Sequence, residues 1–265
     1  MDRQWWGERK EGVIENIRLA KKNNLKIFLK PQIYFPGGWP GDLDFKSDEE
    51  WKEWESAYRA YILDYLDIAI TYDVDMFCIG TEFKVSVKKR PSFWKRLIAD
   101  VRCLYSGDLT YSSNWDSFED ISFWEDLDYV GISAYFPLSE EKTPQAKTLA
   151  KAWKPIKKRL NDFYKKTGKP ILFTEYGYLT VDGCAGKTWI LEKDLNQLPI
   201  NEEAQAISYE SLYAALWEEE FWKGGFIWKW FPHGQGHEGY LEKDYTPQDK
   251  LAEKTIAKWF GKDEK

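Results

Sequence analysis

Two short segments place a glutamate at the exit of an apolar run: Met76-Phe77-Cys78-Ile79-Gly80-Thr81-Glu82-Phe83 and Pro170-Ile171-Leu172-Phe173-Thr174-Glu175-Tyr176-Gly177. Each reads as a short buried strand with Thr-Glu at its end. In a parallel barrel the carboxyl ends of the strands line one rim, so glutamates from two strands can face a common cleft. Carboxyls about 5 Å apart can share a double displacement at an anomeric carbon. One attacks the carbon, while the other protonates the departing oxygen and later deprotonates water. That chemistry needs two acids and no metal. The plainer reading of either glutamate is a solvated strand-end carboxylate or a lysine's partner, and among 44 acidic residues one such Glu carries little weight. Two in matched surroundings carry more.

Other residue types offer less material. The two histidines, His233 and His237, have a spacing that suits one helix face, but Gly234, Gln235 and Gly236 between them read as loop. A metal-dependent hydrolase built on them therefore ranks last, and neither a metal nor a cofactor is expected. Cys78, Cys103 and Cys184 cannot all pair within one chain and lack the close couples of zinc sites, so they read as thiols. With 38 basic against 44 acidic side chains the net charge is -6, which gives no general attraction to phosphate backbones. Without a basic patch, no nucleic acid partner is expected. No uninterrupted apolar stretch is long enough to cross a bilayer, so no membrane span is expected. The aromatic share is unusual: 15 Trp, 16 Tyr and 15 Phe exceed what a core of this size requires. The surplus points to a flat ligand only where tryptophans fall near strand ends, and elsewhere to core.

The elements that must position these residues follow from periodicity. Val13, Ile14, Ile17 and Ala20 predict a helix over 10–22, closed by Asn23-Asn24 before a strand at Leu25 to Leu29. Residues 34–44, rich in Gly and Pro, predict a loop, and Ser47 to Glu50 has capping-box spacing. The stripe Trp51, Trp54, Tyr58, Ile62, Tyr65 and Leu66 then predicts a long helix. Pro91 suits the first turn of a helix running to Leu104. Further strands are expected at Met76 to Gly80, Leu109 to Ser113, Tyr129 to Ala134, Pro170 to Thr174 and Phe226 to Trp230. Further helices are expected at Trp153 to Tyr164, ended by Gly168, at 203–222, ended by Gly224-Gly225, and near Lys250 to Phe260. Strands alternating with helices at this rate mean an α/β fold with parallel strands, as a barrel or an open sheet. No Gly-rich phosphate fingerprint follows any strand, which weighs against a nucleotide-binding open sheet. Without linker or repeat, residues 1–265 read as a single domain.

The stretches QWWGERKEGV, LKPQI, CIGTEF, YSSNWD, GISAYFP, ILFTEYGY, GFIWKWFP and YTPQDKLAEKTI resemble the clan A glycoside hydrolases, and within them glycoside hydrolase family 113, across nearly the whole chain. The resemblance implies a (β/α)8 TIM-type barrel and a retaining β-glycoside hydrolase resembling the endo-β-mannanases. The substrate would be a β-linked polysaccharide or oligosaccharide, with β-1,4-mannan the first to try. Carried over, Glu82 is the acid/base and Glu175 the nucleophile. Tyr135 donates a hydrogen bond to Glu175, holding it ionised and aimed, and Glu82 holds a proton near neutral pH, which implies a bell-shaped pH profile. Trp228 forms the floor under the sugar being cleaved, and Trp230, expected on the same strand face, widens it. Asn114, Trp115, Lys30 and Gln32 sit where they can contact sugar hydroxyls, and Trp39 can stack on a more distant sugar.

Two departures from the family's pattern carry consequences. Thr81 stands where many clan A enzymes have an Asn that contacts the 2-hydroxyl, so the sugar preference stays open. By the same alignment Leu25 to Leu29 is the third barrel strand, so the first two βα units are missing and the domain is expected to be amino-terminally incomplete. The alternative class is a catalytically weak or inactive carbohydrate-binding barrel that kept the aromatic cleft. A polymeric substrate argues for the cell exterior or envelope, although residues 1–20 hold no apolar signal core.

Overall fold

The computed structural model describes residues 6–35, 37–231 and 242–261. The chain forms two compact units, divided between Gly131 and Ile132. The expected α/β alternation is present in both. His233 and His237 lie outside the described residues, among which no cluster of His, Cys, Asp and Glu could hold a metal ion and no helix is long and apolar enough to cross a membrane.

In the first unit, helix α1 (Lys10–Lys22) leads through the turn Asn23-Asn24 to strand β1 (Phe28–Leu29). The strand is shorter than the expected Leu25 to Leu29: the Ile27 carbonyl still accepts from the Met76 amide at 3.0 Å, but the Ile27 amide donates to the Asp75 carboxylate at 2.8 Å. Helix α2 (Asp48–Thr71) starts at the expected capping box: Ser47 Oγ accepts from the Glu50 amide at 3.1 Å, and Glu50 Oε2 accepts from the Ser47 amide at 3.0 Å. Its stripe of Trp51, Tyr58, Ile62, Leu66 and Ala69 is buried. Glu55 lies in that stripe at 7% exposure and is paired with Arg90, the usual condition for burying a charge. Strand β2 (Met76–Thr81), the short helix α3 (Lys84–Lys89), helix α4 (Pro91–Leu104) and strand β3 (Asp108–Asn114) follow. β1, β2 and β3 pair in parallel in that order. Most aromatic rings here are core: Trp54 stacks on Tyr58 at 4.9 Å, and Phe83, Phe93, Trp94, Tyr111 and Phe123 extend the cluster.

The division falls inside strand β4 (Tyr129–Ser133). In the second unit, helix α5 (Ala146–Thr167) ends on Gly168 at φ +67°, as expected, and leads to strand β5 (Ile171–Tyr176). A short helix, α6 (Thr188–Leu191), precedes α7 (Glu202–Leu216), which stops well before the expected residue 222. Gly224-Gly225 does not end this helix but lies within strand β6 (Trp222–Ile227), which pairs in parallel with β5. A glycine is needed there because a Cβ on Gly225 would come within 2.5 Å of the Phe173 carbonyl oxygen. The last strand therefore lies earlier than the expected Phe226 to Trp230. Beyond Trp228 the pairing changes: the backbone N–H and C=O of Phe231 pair with the Gln248 side chain at 2.7 and 2.6 Å. Helix α8 (Leu251–Phe260) packs on α7, with Trp259 Nε1 donating to Glu210 at 2.7 Å and its ring against Tyr213 and Trp217.

Candidate active site

In the first unit, β2 ends on Thr81 and the chain turns out at Glu82 with φ +60°. The other non-glycine residues with positive φ, Asn24, Asp73 and Asp249, are types whose short polar side chains tolerate that region. A glutamate does not share that tolerance, so the surroundings must impose the conformation. The Glu82 amide donates to the Ser112 carbonyl of β3 at 2.8 Å, and its own carbonyl accepts from the Lys84 amide at 2.7 Å. Next in sequence, Phe83 is 1% exposed and wedged against Tyr58, Trp54 and Trp94. Both flanks of the turn are thereby pinned.

The Glu82 carboxylate receives a hydrogen bond from Trp39 Nε1 at 2.5 Å, so the expected Gly/Pro-rich loop delivers its tryptophan to the glutamate itself. Behind them, burial holds the Tyr111 phenol well above its ordinary range, and the charge of Glu82 adds to that shift. Beside Trp39 a cleft of about 380 Å³ is lined by Gly41, Asp42, Lys84, Val85, Lys88 and Lys89. Its lysines are compensated by Asp116, Asp120 and Asp44, at 2.7, 2.7 and 2.6 Å.

The parallel register of β1, β2 and β3 puts the residues that follow them at one end of this unit. Lys30, half-buried, follows β1, and its charge opposes the burial that raises the Cys78 thiol. Gln32 is exposed, and its carbonyl accepts from the Tyr61 hydroxyl at 3.2 Å. Asn114 is the last residue of β3, and its Oδ1 accepts from the Trp115 amide at 3.0 Å, which fixes the turn that presents both.

In the second unit, Glu175 lies within β5 and not beyond it, one residue before the strand ends at Tyr176. Its carbonyl accepts from the Ala134 amide at 2.7 Å, and its side chain is 6% exposed. The expected Tyr135 contact is present: its hydroxyl donates to Glu175 Oε2 at 3.0 Å. The Tyr135 ring meets Tyr245 edge-on at 5.9 Å, and Tyr245 in turn donates to Glu192. Burial pushes the Tyr245 phenol well above its ordinary range, with the Glu192 carboxylate adding to it.

Trp228 and Trp230 follow β6 and are not part of it, so strand alternation does not put them on a common face. Trp228 is half-buried and Trp230 is 49% exposed. The Trp228 amide donates to the Tyr176 carbonyl at 2.8 Å, and the Trp228–Lys229 peptide bond is cis. A Cβ at position 177 would come within 2.0 Å of the Trp228 carbonyl oxygen, so only glycine lets this backbone lie against the end of β5.

Sequence reasoning missed Ser112, Gly41 and Tyr245 as supports. Tyr245 opens the stretch YTPQDKLAEKTI and Ser112 lies in YSSNWD, so a signal was present for these two. Gly41 lies outside those stretches and leaves none.

The profile of glycoside hydrolase family 113 matches residues 7–250. A solved family 113 β-1,4-mannanase superposes with a TM-score of 0.80 and 26% identity, over 96% of this chain and 79% of that one. The family 113 β-mannanase AaManA from Alicyclobacillus acidocaldarius gives 0.80 and 27%, over 95% and 77%. A Faecalibacterium prausnitzii β-glucuronidase, at 0.60 and 15% over 96% and 46%, shares the fold. No curated protein sequence matches.

Proposed function

This chain belongs to glycoside hydrolase family 113, and from that premise we propose that it cleaves a β-linked mannan or manno-oligosaccharide with retention of configuration. Glu175 is the nucleophile and Glu82 the acid/base. The observation that carries the assignment is the Tyr135 hydroxyl aimed at Glu175 Oε2 at 3.0 Å, on a carboxylate only 6% exposed. A nucleophile must be held on line with its target carbon, and one fixed donor on a strand-borne carboxylate supplies that constraint. Mannan is chosen because the mannanases named above are solved members of the same family.

In the first step a Glu175 oxygen bonds to the anomeric carbon, and the electrons of the breaking C–O bond go to the leaving oxygen, which takes the proton of Glu82. In the second step Glu82, now a base, removes a proton from water, whose oxygen bonds to the same carbon and releases Glu175. Trp228 and Trp230 serve as sugar platforms, and Lys30, Gln32, Asn114 and Trp115 as hydroxyl partners.

The test is reducing-end release from β-1,4-mannan. Glu175→Ala should lose nearly all turnover, and added azide should restore part of it as a glycosyl azide of inverted configuration. Glu82→Ala should slow mannan cleavage by about 10²–10⁴-fold, the usual worth of a general acid, yet spare substrates whose leaving group needs no proton. If both variants cleave mannan like the wild type, the assignment fails. Wild-type binding without release would make the chain a carbohydrate-binding protein.

A further inference from the structure

The Trp39 indole and the Glu82 carboxylate come from segments 43 residues apart, yet meet at 2.5 Å through a single N–H donor. The indole nitrogen donates and never accepts, so it always serves an acceptor on Glu82. The indole is itself seated: a Cβ on Gly41 would fall 2.2 Å from Trp39 Cη2 and Cζ3, so the ring lies directly against a residue with no side chain. The Glu82 backbone is likewise fixed, by Ser112 and by its left-handed turn. Both ends of the hydrogen bond are therefore anchored independently, an arrangement that sets one carboxylate orientation.

We propose that Trp39 is a positioning residue for the acid/base of the reaction, orienting the Glu82 carboxylate through its indole N–H and setting the pH range over which Glu82 can deliver a proton. This rests on the reading of Glu82 as acid/base and deepens it. A donor to a carboxylate favours the ionised form, and an N–H fixed on one oxygen selects one orientation of the group. Removing that donor should leave a stronger proton holder in a looser orientation.

The experiment compares Trp39→Phe with the wild type over the full pH profile, on a manno-oligosaccharide and on an aryl β-mannoside with a good leaving group. Trp39→Phe keeps a flat ring and removes the N–H. The expected result has three parts: kcat/KM on the oligosaccharide falls about tenfold, in line with one charge-assisted hydrogen bond; the alkaline limb moves to higher pH; and kcat/KM on the aryl substrate stays near wild type. An unmoved alkaline limb, with both substrates slowed alike, overturns the proposal and leaves Trp39 as a packing or sugar-stacking residue. Gly41→Ala provides the second arm, because its methyl displaces the indole while the N–H remains in the chain. It should move the same limb in the same direction, and it decides the matter if Trp39→Phe does not fold. Failure of the underlying reading is recognised separately: Glu82→Ala would then slow both substrates equally, whatever Trp39→Phe does.

Discussion

Replacing Tyr135 by Phe removes one atom from the proposed nucleophile's surroundings. The hydroxyl donates to Glu175 Oε2 at 3.0 Å, while the ring's edge contact with Tyr245 at 5.9 Å is available to phenylalanine as well. Glu175 is 6% exposed, so bulk water has little access to replace the lost donor. A hydrogen bond to a charged group is worth about 1.5–3 kcal/mol, or about 10- to 150-fold if all of it acts in the transition state. The carboxylate gives up charge as it bonds to carbon, so part of this hydrogen bond weakens on the reaction path and the variant regains some nucleophilicity. The expected fall in kcat/KM therefore lies at the lower end, about tenfold. Because the lost donor acts on the orientation of the carboxylate and not on substrate binding, the fall should appear in kcat, with KM little changed. The assay is initial-rate release of reducing ends from a manno-oligosaccharide across pH, with circular dichroism to verify the fold. A kcat/KM within about twofold of wild type, or a loss confined to KM, would refute the reasoning.

Two further expectations concern stability. The left-handed backbone at Glu82 costs a residue with a Cβ about 1–2 kcal/mol, and a glycine gives back about 0.4–1 kcal/mol through its freer unfolded chain. Glu82→Gly should therefore be more stable than Glu82→Ala by about 0.5–1 kcal/mol in urea unfolding; equal midpoints would mean that the turn is not strained. Burial raises the phenols of Tyr58, Tyr111, Tyr178, Tyr209 and Tyr245 above the ordinary value of 10.0. Since the folded state keeps protons that the unfolded state loses, their stabilisation is complete below pH 10 and is lost above it, by about 1.4 kcal/mol per pH unit for each tyrosine. Tyrosinate absorbance should rise together with the loss of circular dichroism in alkali, and full ionisation of an intact fold would contradict the burial.

The helices were the most readable part of the chain. The capping box at Ser47 and Glu50, the apolar stripe of α2, Pro91 at the head of α4 and Gly168 at the end of α5 are local devices, and each works within one or two turns of its own sequence. Strand limits were less readable, because a ladder depends on a partner distant in sequence. The Asp75 carboxylate takes the Ile27 amide at the start of β1, and Phe173 requires a glycine inside β6 where sequence alone suggested a helix stop. The tryptophan surplus divided along the same line: Trp94 and Trp153 fill the core, whereas Trp39, expected beside a sugar, donates a hydrogen bond to Glu82.

The sequence by itself determined which residues are chemically eligible. Two strand-end glutamates, a tyrosine and a set of tryptophans in family-like stretches follow from residue type and short-range order, which are written in the chain. Only the tertiary structure decided most of what holds them: the Ser112 carbonyl under Glu82, the indole of Trp39 on its carboxylate and the glycine that lets Trp228 lie against β5. These contacts join residues tens of positions apart, and their geometry is set by how strands register and rings pack. No local pattern encodes that, because the same side chain meets a different partner when its neighbours shift by a few ångströms.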